Sequence, residues 1–168
     1  KMLSLSRDKS TESPDDVLGK LNIVPLTISY EIDPCDVLKA RELAYGAGYE
    51  KAPFEDLGSI AQGIQGQKGH VHIHFGTLLN QPSLPVPDAV SAIDDAMVAN
   101  YRLFKTNFWA CEALGHAIDT SDCDAATSSI TRSAFLARFD ELPEEERQQA
   151  LKMYARPVLN WLAYKERV

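Results

Sequence analysis

The stretch LNIVPLTISYEIDPCD, residues 21–36, decides how the fold is read. Residues 21–30 are apolar and β-branched, the composition of a strand. Pro25 inside the run has no N–H for the ladder, which places it at an edge, a bulge or one end of the pairing. Asp33-Pro34 then opens a helix. Asp33 is a cap candidate, Pro34 suits the first turn and Asp36 favours the positive helix end, so the pattern predicts a helix through 33–48, stopped at Gly46.

A second strand is predicted at HVHIHF, 70–75, closed by Gly76. Before it come a weaker helix from about Glu55 to Ala61 and the glycine-rich turn GIQGQKG, 63–69. About 40 residues containing a helix suit a crossover, so the pair is read as a parallel βαβ unit. Beyond the loop NQPSLPVPD, 80–88, the pattern becomes helical. Val90, Ile93, Met97, Tyr101, Phe104, Phe108 and Cys111 fall on one face of a long helix ended by Gly115. A polar linker (119–128), a helix around Ser129–Phe139 and a last helix opened by Leu142-Pro143 follow. Three glutamates occupy the first turn of that last helix, and Pro157 predicts a kink in it. Ser13-Pro14-Asp15-Asp16 reads as a short helix start that Gly19 closes. The expected class is α/β: an incomplete parallel-type sheet (1–80) followed by an all-helical extension (81–168).

The bulk properties narrow the function. The chain has 168 residues, 45% hydrophobic and 24% charged, with a net charge of −7. One domain of this length holds a core without staples. The acidic balance counts against a nucleic-acid partner, which needs a basic face. No apolar run approaches the roughly 20 residues of a membrane span. Cys35, Cys111 and Cys123 are odd in number and lack C-x-x-C spacing, which fits a reducing setting better than a disulfide framework.

The three alternate histidines of the second strand admit three readings. His70, His72 and His74 share a face, with Val71, Ile73 and Phe75 opposite. His72 and His74 have the spacing of a chelating pair, but a zinc site needs further ligands, and Asp33, Asp36, Asp56 and Cys35 stand at no diagnostic spacing. A histidine base needs an orienting carboxylate and a nucleophile. The third reading, a polar sheet face, is preferred. GIQGQKG lacks the order of a Walker A loop and is read as a turn, with Lys68 and its flanking amides offering a contact for an anionic ligand. Two parallel strands alone make a marginal sheet and want both faces covered. With Lys1 in place of an initiator Met, this leads us to expect further strands upstream.

From Leu21 to Leu79, LNIVPLTISYEIDPCDVLKARELA…GYEKAPFEDLGSIAQGIQGQKGHVHIHFG, the chain resembles the glycerol-phosphate/lysophosphatidate acyltransferase family. It is most similar to a bacterial branch with a helical C-terminal extension. The matching features are Ile23-Val24-Pro25-Leu26 at one strand and Phe75-Gly76-Thr77-Leu78 at the other. The resemblance implies transfer of an acyl group from acyl-CoA or acyl-carrier protein to a lysophospholipid or glycerol phosphate, as in phospholipid biosynthesis. It implies no cofactor, and it places Val24 and Pro25 with Lys68 among substrate-binding positions. The family base is a His followed five places later by Asp. Here Phe75, Thr77, Leu79 and Ser121 stand five places after His70, His72, His74 and His116, and no Glu-Gly pair occurs. No catalytic residue is therefore assigned to this chain. The resemblance makes it the C-terminal part of an acyltransferase, with the catalytic half upstream, and the histidine face as scaffold that this half covers. The intact protein is expected to be cytoplasmic and peripheral to the inner membrane face, and the open sheet to favour self-association. A metal-binding domain using His72 and His74, and a non-catalytic helical interaction module, are the alternatives.

Overall fold

A computed structural model describes residues 21–79, 85–118 and 128–168. The helix start at 13–19, most of the 119–128 linker and part of the 80–88 loop lie outside them. The chain is mixed α/β and mostly helical. Its order is β1 (Leu26–Tyr30), α1 (Asp36–Tyr45), a 3-10 turn (Gly46–Gly48), α2 (Glu55–Gln65), β2 (Val71–Phe75), α3 (Val86–Ala99), α4 (Lys105–Ala113), α5 (Arg132–Ala137) and α6 (Glu144–Lys165). The described residues form two compact units, 21–28 with 73–79, 85–101 and Val168, and 29–72 with 102–167. Both contain residues from either side of position 80.

The two strands pair with each other, but antiparallel rather than parallel. Glu31 N donates to His70 O (2.9 Å) and Gly76 N to Pro25 O (2.8 Å), a register that sets Ser29 opposite His72 and Ile28 opposite Ile73. Two helices, α1 and α2, lie between the strands in the chain. The ladder is also shorter than the apolar run. Pro25 ends it, and Ile23 meets Leu79 only in an isolated bridge, offset by one residue.

In the second unit α6 packs against both α1 and α4. Phe135, Phe139 and Tyr154 form its aromatic centre, with Phe135 edge-on to Tyr154 (4.9 Å between centroids) and to Phe139 (5.4 Å). Asp36 is buried, and its Oδ2 accepts from Tyr154 Oη (2.9 Å) and Arg138 Nη2 (2.8 Å). Burial and then the Asp36 charge push the Tyr154 phenol far above its ordinary range. Asp33 does not cap α1 through N3. Its Oδ1 accepts from Cys35 N (2.9 Å) in a local turn.

The long helix expected over 88–114 is two helices. Phe104 N donates to Asn107 Oδ1 (2.8 Å), so Asn107 starts α4 afresh and fixes Phe104 in extended backbone before it. Pro157 lies inside α6, which runs on to Lys165. The proline N cannot bond the Met153 carbonyl. The next two carbonyls, of Tyr154 and Ala155, accept from Asn107 Nδ2 (2.9 Å) and Cys111 Sγ (3.7 Å) of α4. Burial raises the Cys111 thiol to about 11, so it packs as a neutral group.

Candidate functional site

Alternation along β1 sends Thr27, Ser29 and Glu31 to one face, and all three are buried. The chain's own helical part meets the Ser29 and Glu31 end of that face. Ser29 Oγ accepts from Arg102 N (2.9 Å), and the Glu31 carbonyl accepts from Thr106 Oγ1 (2.8 Å). Residues of this chain thus meet that end of the face the histidines share.

Glu31 is the centre of the best-built polar site among the described residues. Its carboxylate is fully buried and accepts five hydrogen bonds. Oε1 takes Ser128 Oγ (2.5 Å) and Ser129 N (2.8 Å), and Oε2 takes Ser129 Oγ (2.6 Å), His70 N (2.9 Å) and His70 Nδ1 (2.9 Å). Burial alone would raise its pKa. The hydroxyls of Ser128 and Ser129 and the backbone N–H groups of His70 and Ser129 outweigh that and hold it at about 2. The turn before β2 permits the approach. Gly69 has φ +61°, and a Cβ there would run into Glu31 Oε2 and lie 2.9 Å from Ser129 Oγ.

His70 is thereby oriented by a carboxylate through Nδ1, and its ring stacks on Phe104 (6.4 Å between centroids, 14° between planes). This is the carboxylate–imidazole half of a general-base arrangement. The nucleophile half is not beside it. Both serine hydroxyls donate to Glu31, and among the described residues nothing hydrogen-bonds His70 Nε2. What the arrangement does is tie Ser128–Ser129 to the mouth of the strand pair. Glu31 escaped the sequence reading because one glutamate among 24 acidic residues carries no motif. Its sole signal is a position in phase with Thr27 and Ser29.

The residues singled out from the sequence do not converge. Val24 is exposed and Pro25 buried, with Pro25 opposite Gly76 at one end of the ladder. Lys68 lies beyond the other end, where its carbonyl accepts from Ile32 N (3.0 Å). Its ammonium donates to the carbonyls of Ile64 and Gly66 (3.1 Å each), closing the end of α2. His72 and His74 are half-buried, and among the described residues no group of three metal-ligating side chains forms. No described helix is long and apolar enough to cross a membrane. Comparison with protein-family models, curated proteins and solved structures returned no match.

Proposed function

We propose that this chain is the C-terminal, scaffold part of an acyltransferase moving an acyl group from an acyl thioester to the hydroxyl of a lysophospholipid or glycerol phosphate. The resemblance over 21–79 motivates the reading, and the observation that carries it is the outer face of the strand pair. Leu26, Ile28, Val71, Ile73 and Phe75 lie on that face and are 40–73% exposed. Phe54, Leu57, Ile60 and Ile64 form a second exposed apolar stripe along α2 and the residue before it. Contiguous apolar surface of this kind marks an interface. Strands within an incomplete sheet, awaiting the remainder of an α/β domain, leave it.

In this reading the base is the histidine of a His-x4-Asp pair outside this chain. It removes the acceptor hydroxyl proton as the oxygen attacks the thioester carbonyl. The tetrahedral intermediate then collapses, and the thiol leaves with a proton returned from the histidine. The donor is acyl-CoA or acyl-carrier protein, and Val24, Pro25 and Lys68 are the proposed contacts of this part with substrate. The intact protein works in the cytoplasm against the inner membrane face. The uncovered face also accounts for any self-association of the isolated chain.

The test is to read the coding frame upstream of Lys1 and to assay the whole product with acyl-CoA and lysophosphatidate. An upstream His-x4-Asp and Glu-Gly block, with transfer lost on replacing that histidine, is the expected result. Transfer by residues 1–168 alone, or an upstream frame without the motif, overturns the proposal.

A further inference from the structure

Where the end of α1, the turn after α4 and the middle of α6 meet, the second unit holds a cavity of about 480 Å³. That lies within the range of small-molecule sites. Leu43, Met153 and Leu159 supply apolar wall, while Lys152, Arg156 and His116 supply cationic or protonatable groups. The end of α4 is built to deliver His116 there. Gly115 at φ +80° lets its own N–H bond Glu112 O (2.9 Å) and the His116 N–H bond Cys111 O (3.0 Å). This two-bond stop turns the chain immediately after the helix.

The charge distribution points to an occupant. Lys39, Arg41, Lys51, Arg132, Arg138 and Arg147 each meet a carboxylate within 4.0 Å. Lys152 and Arg156 meet none among the described residues, in a chain of net charge −7. They stand four apart on one helix face, an arrangement of like charges that costs a few tenths of a kcal/mol in an isolated helix. Glu144 and Glu145 line the adjoining depression with Lys152, but neither lines this cavity.

We propose that the cavity binds a single-chain amphiphile with an anionic head. Its alkyl tail lies along Leu43, Met153 and Leu159, and its carboxylate or phosphate lies between Lys152, Arg156 and His116. Arginine offers the planar fork that such heads accept, and lysine adds a point charge. The inference goes beyond the acyltransferase reading, since none of the cavity's polar groups belongs to the 21–79 block.

Titration calorimetry of the 168-residue chain tests it, with decanoate and decyl phosphate below their micelle concentrations and decanol and inorganic phosphate as half-ligands. At least one amphiphile is expected to bind at a single site, at least tenfold more tightly than either half-ligand. Preference for decanoate assigns a fatty-acid class, and preference for decyl phosphate a phosphate-ester class. The double variant Lys152→Gln, Arg156→Gln is expected to weaken binding about tenfold at an unchanged melting temperature. If the double variant loses its melting transition, Arg156→Gln alone takes its place. Failure of both amphiphiles to bind, a half-ligand binding as tightly as the preferred amphiphile, or unchanged affinity in the folded variant would each overturn the proposal.

Discussion

The two faces of the strand pair invert the usual arrangement of a half-buried sheet. On one, Thr27, Ser29 and Glu31 are at most 2% exposed. On the other, Leu26, Ile28, Ile73 and Phe75 stand 40–73% exposed. Apolar burial stabilises by roughly 25 cal/mol per Å², and that contribution is largely unrealised on the second face. At its Ser29 and Glu31 end the first face holds through hydrogen bonds, because both buried side chains there have partners. Polar satisfaction, not hydrophobic contact, therefore secures that end of the ribbon in this chain.

The variant Glu31→Ala would break that contrast most directly. It strands the hydroxyls and N–H groups of Ser128, Ser129 and His70, and a loss of roughly 3 to 4 kcal/mol is expected in urea melts. If the loss stays below about 1 kcal/mol, the polar face is not what holds the ribbon. Acid probes the same group. A carboxyl held at about 2 rather than 4.5 is a depressed one. Its contribution is whole above pH 4.5 and falls away as pH drops toward 2, by roughly 3 kcal/mol from this group alone. Melting followed from pH 6 to pH 2 should show the loss, and Glu31→Gln should flatten that part of the profile.

A smaller effect, about 2 kcal/mol, is expected for Gly69→Ala, from the cost of a left-handed residue and the contact with Glu31. Thermal melting of Gly69→Ala in the Glu31→Ala background should show part of this cost relieved. The smallest change belongs to the apolar face. Ile73→Thr should shift the stability of residues 1–168 by no more than about 0.5 kcal/mol while reducing self-association in sedimentation. In a longer protein that covers this face, the same substitution should cost about 1 to 2 kcal/mol. Equal effects in both would mean that the face stays open.

Much of the local structure was legible. The residue types of 21–36 and 70–76 placed both strands, and Asp33-Pro34-Cys35-Asp36 and the Glu144–Glu146 run located two helix starts to within a few residues. The break at Asn107 was not, because an asparagine turned back on its own backbone looks in sequence like any polar residue of a helix. At Pro157, expected to kink α6, the sequence did not show that Asn107 and Cys111, 47 and 44 residues from their acceptors, donate to the carbonyls of Tyr154 and Ala155 just before it. The candidate site was less legible still. Lys68 read as an anion contact, and the sequence did not show that its ammonium also donates to two carbonyls at the end of α2. Glu31 looked like nothing.

Alternation along the second strand by itself determined that His70, His72 and His74 would share one face and that Val71, Ile73 and Phe75 would lie on the other, since side-chain direction follows a period of two. Only the tertiary structure decided the rest. The antiparallel sense and register set which residues of the two strands share a face. Which face is buried depended on Arg102, Thr106 and Ser128–Ser129 arriving from far along the chain. Periodicity specifies faces because it is local geometry. Burial is a property of what packs against them, and no local pattern carries that.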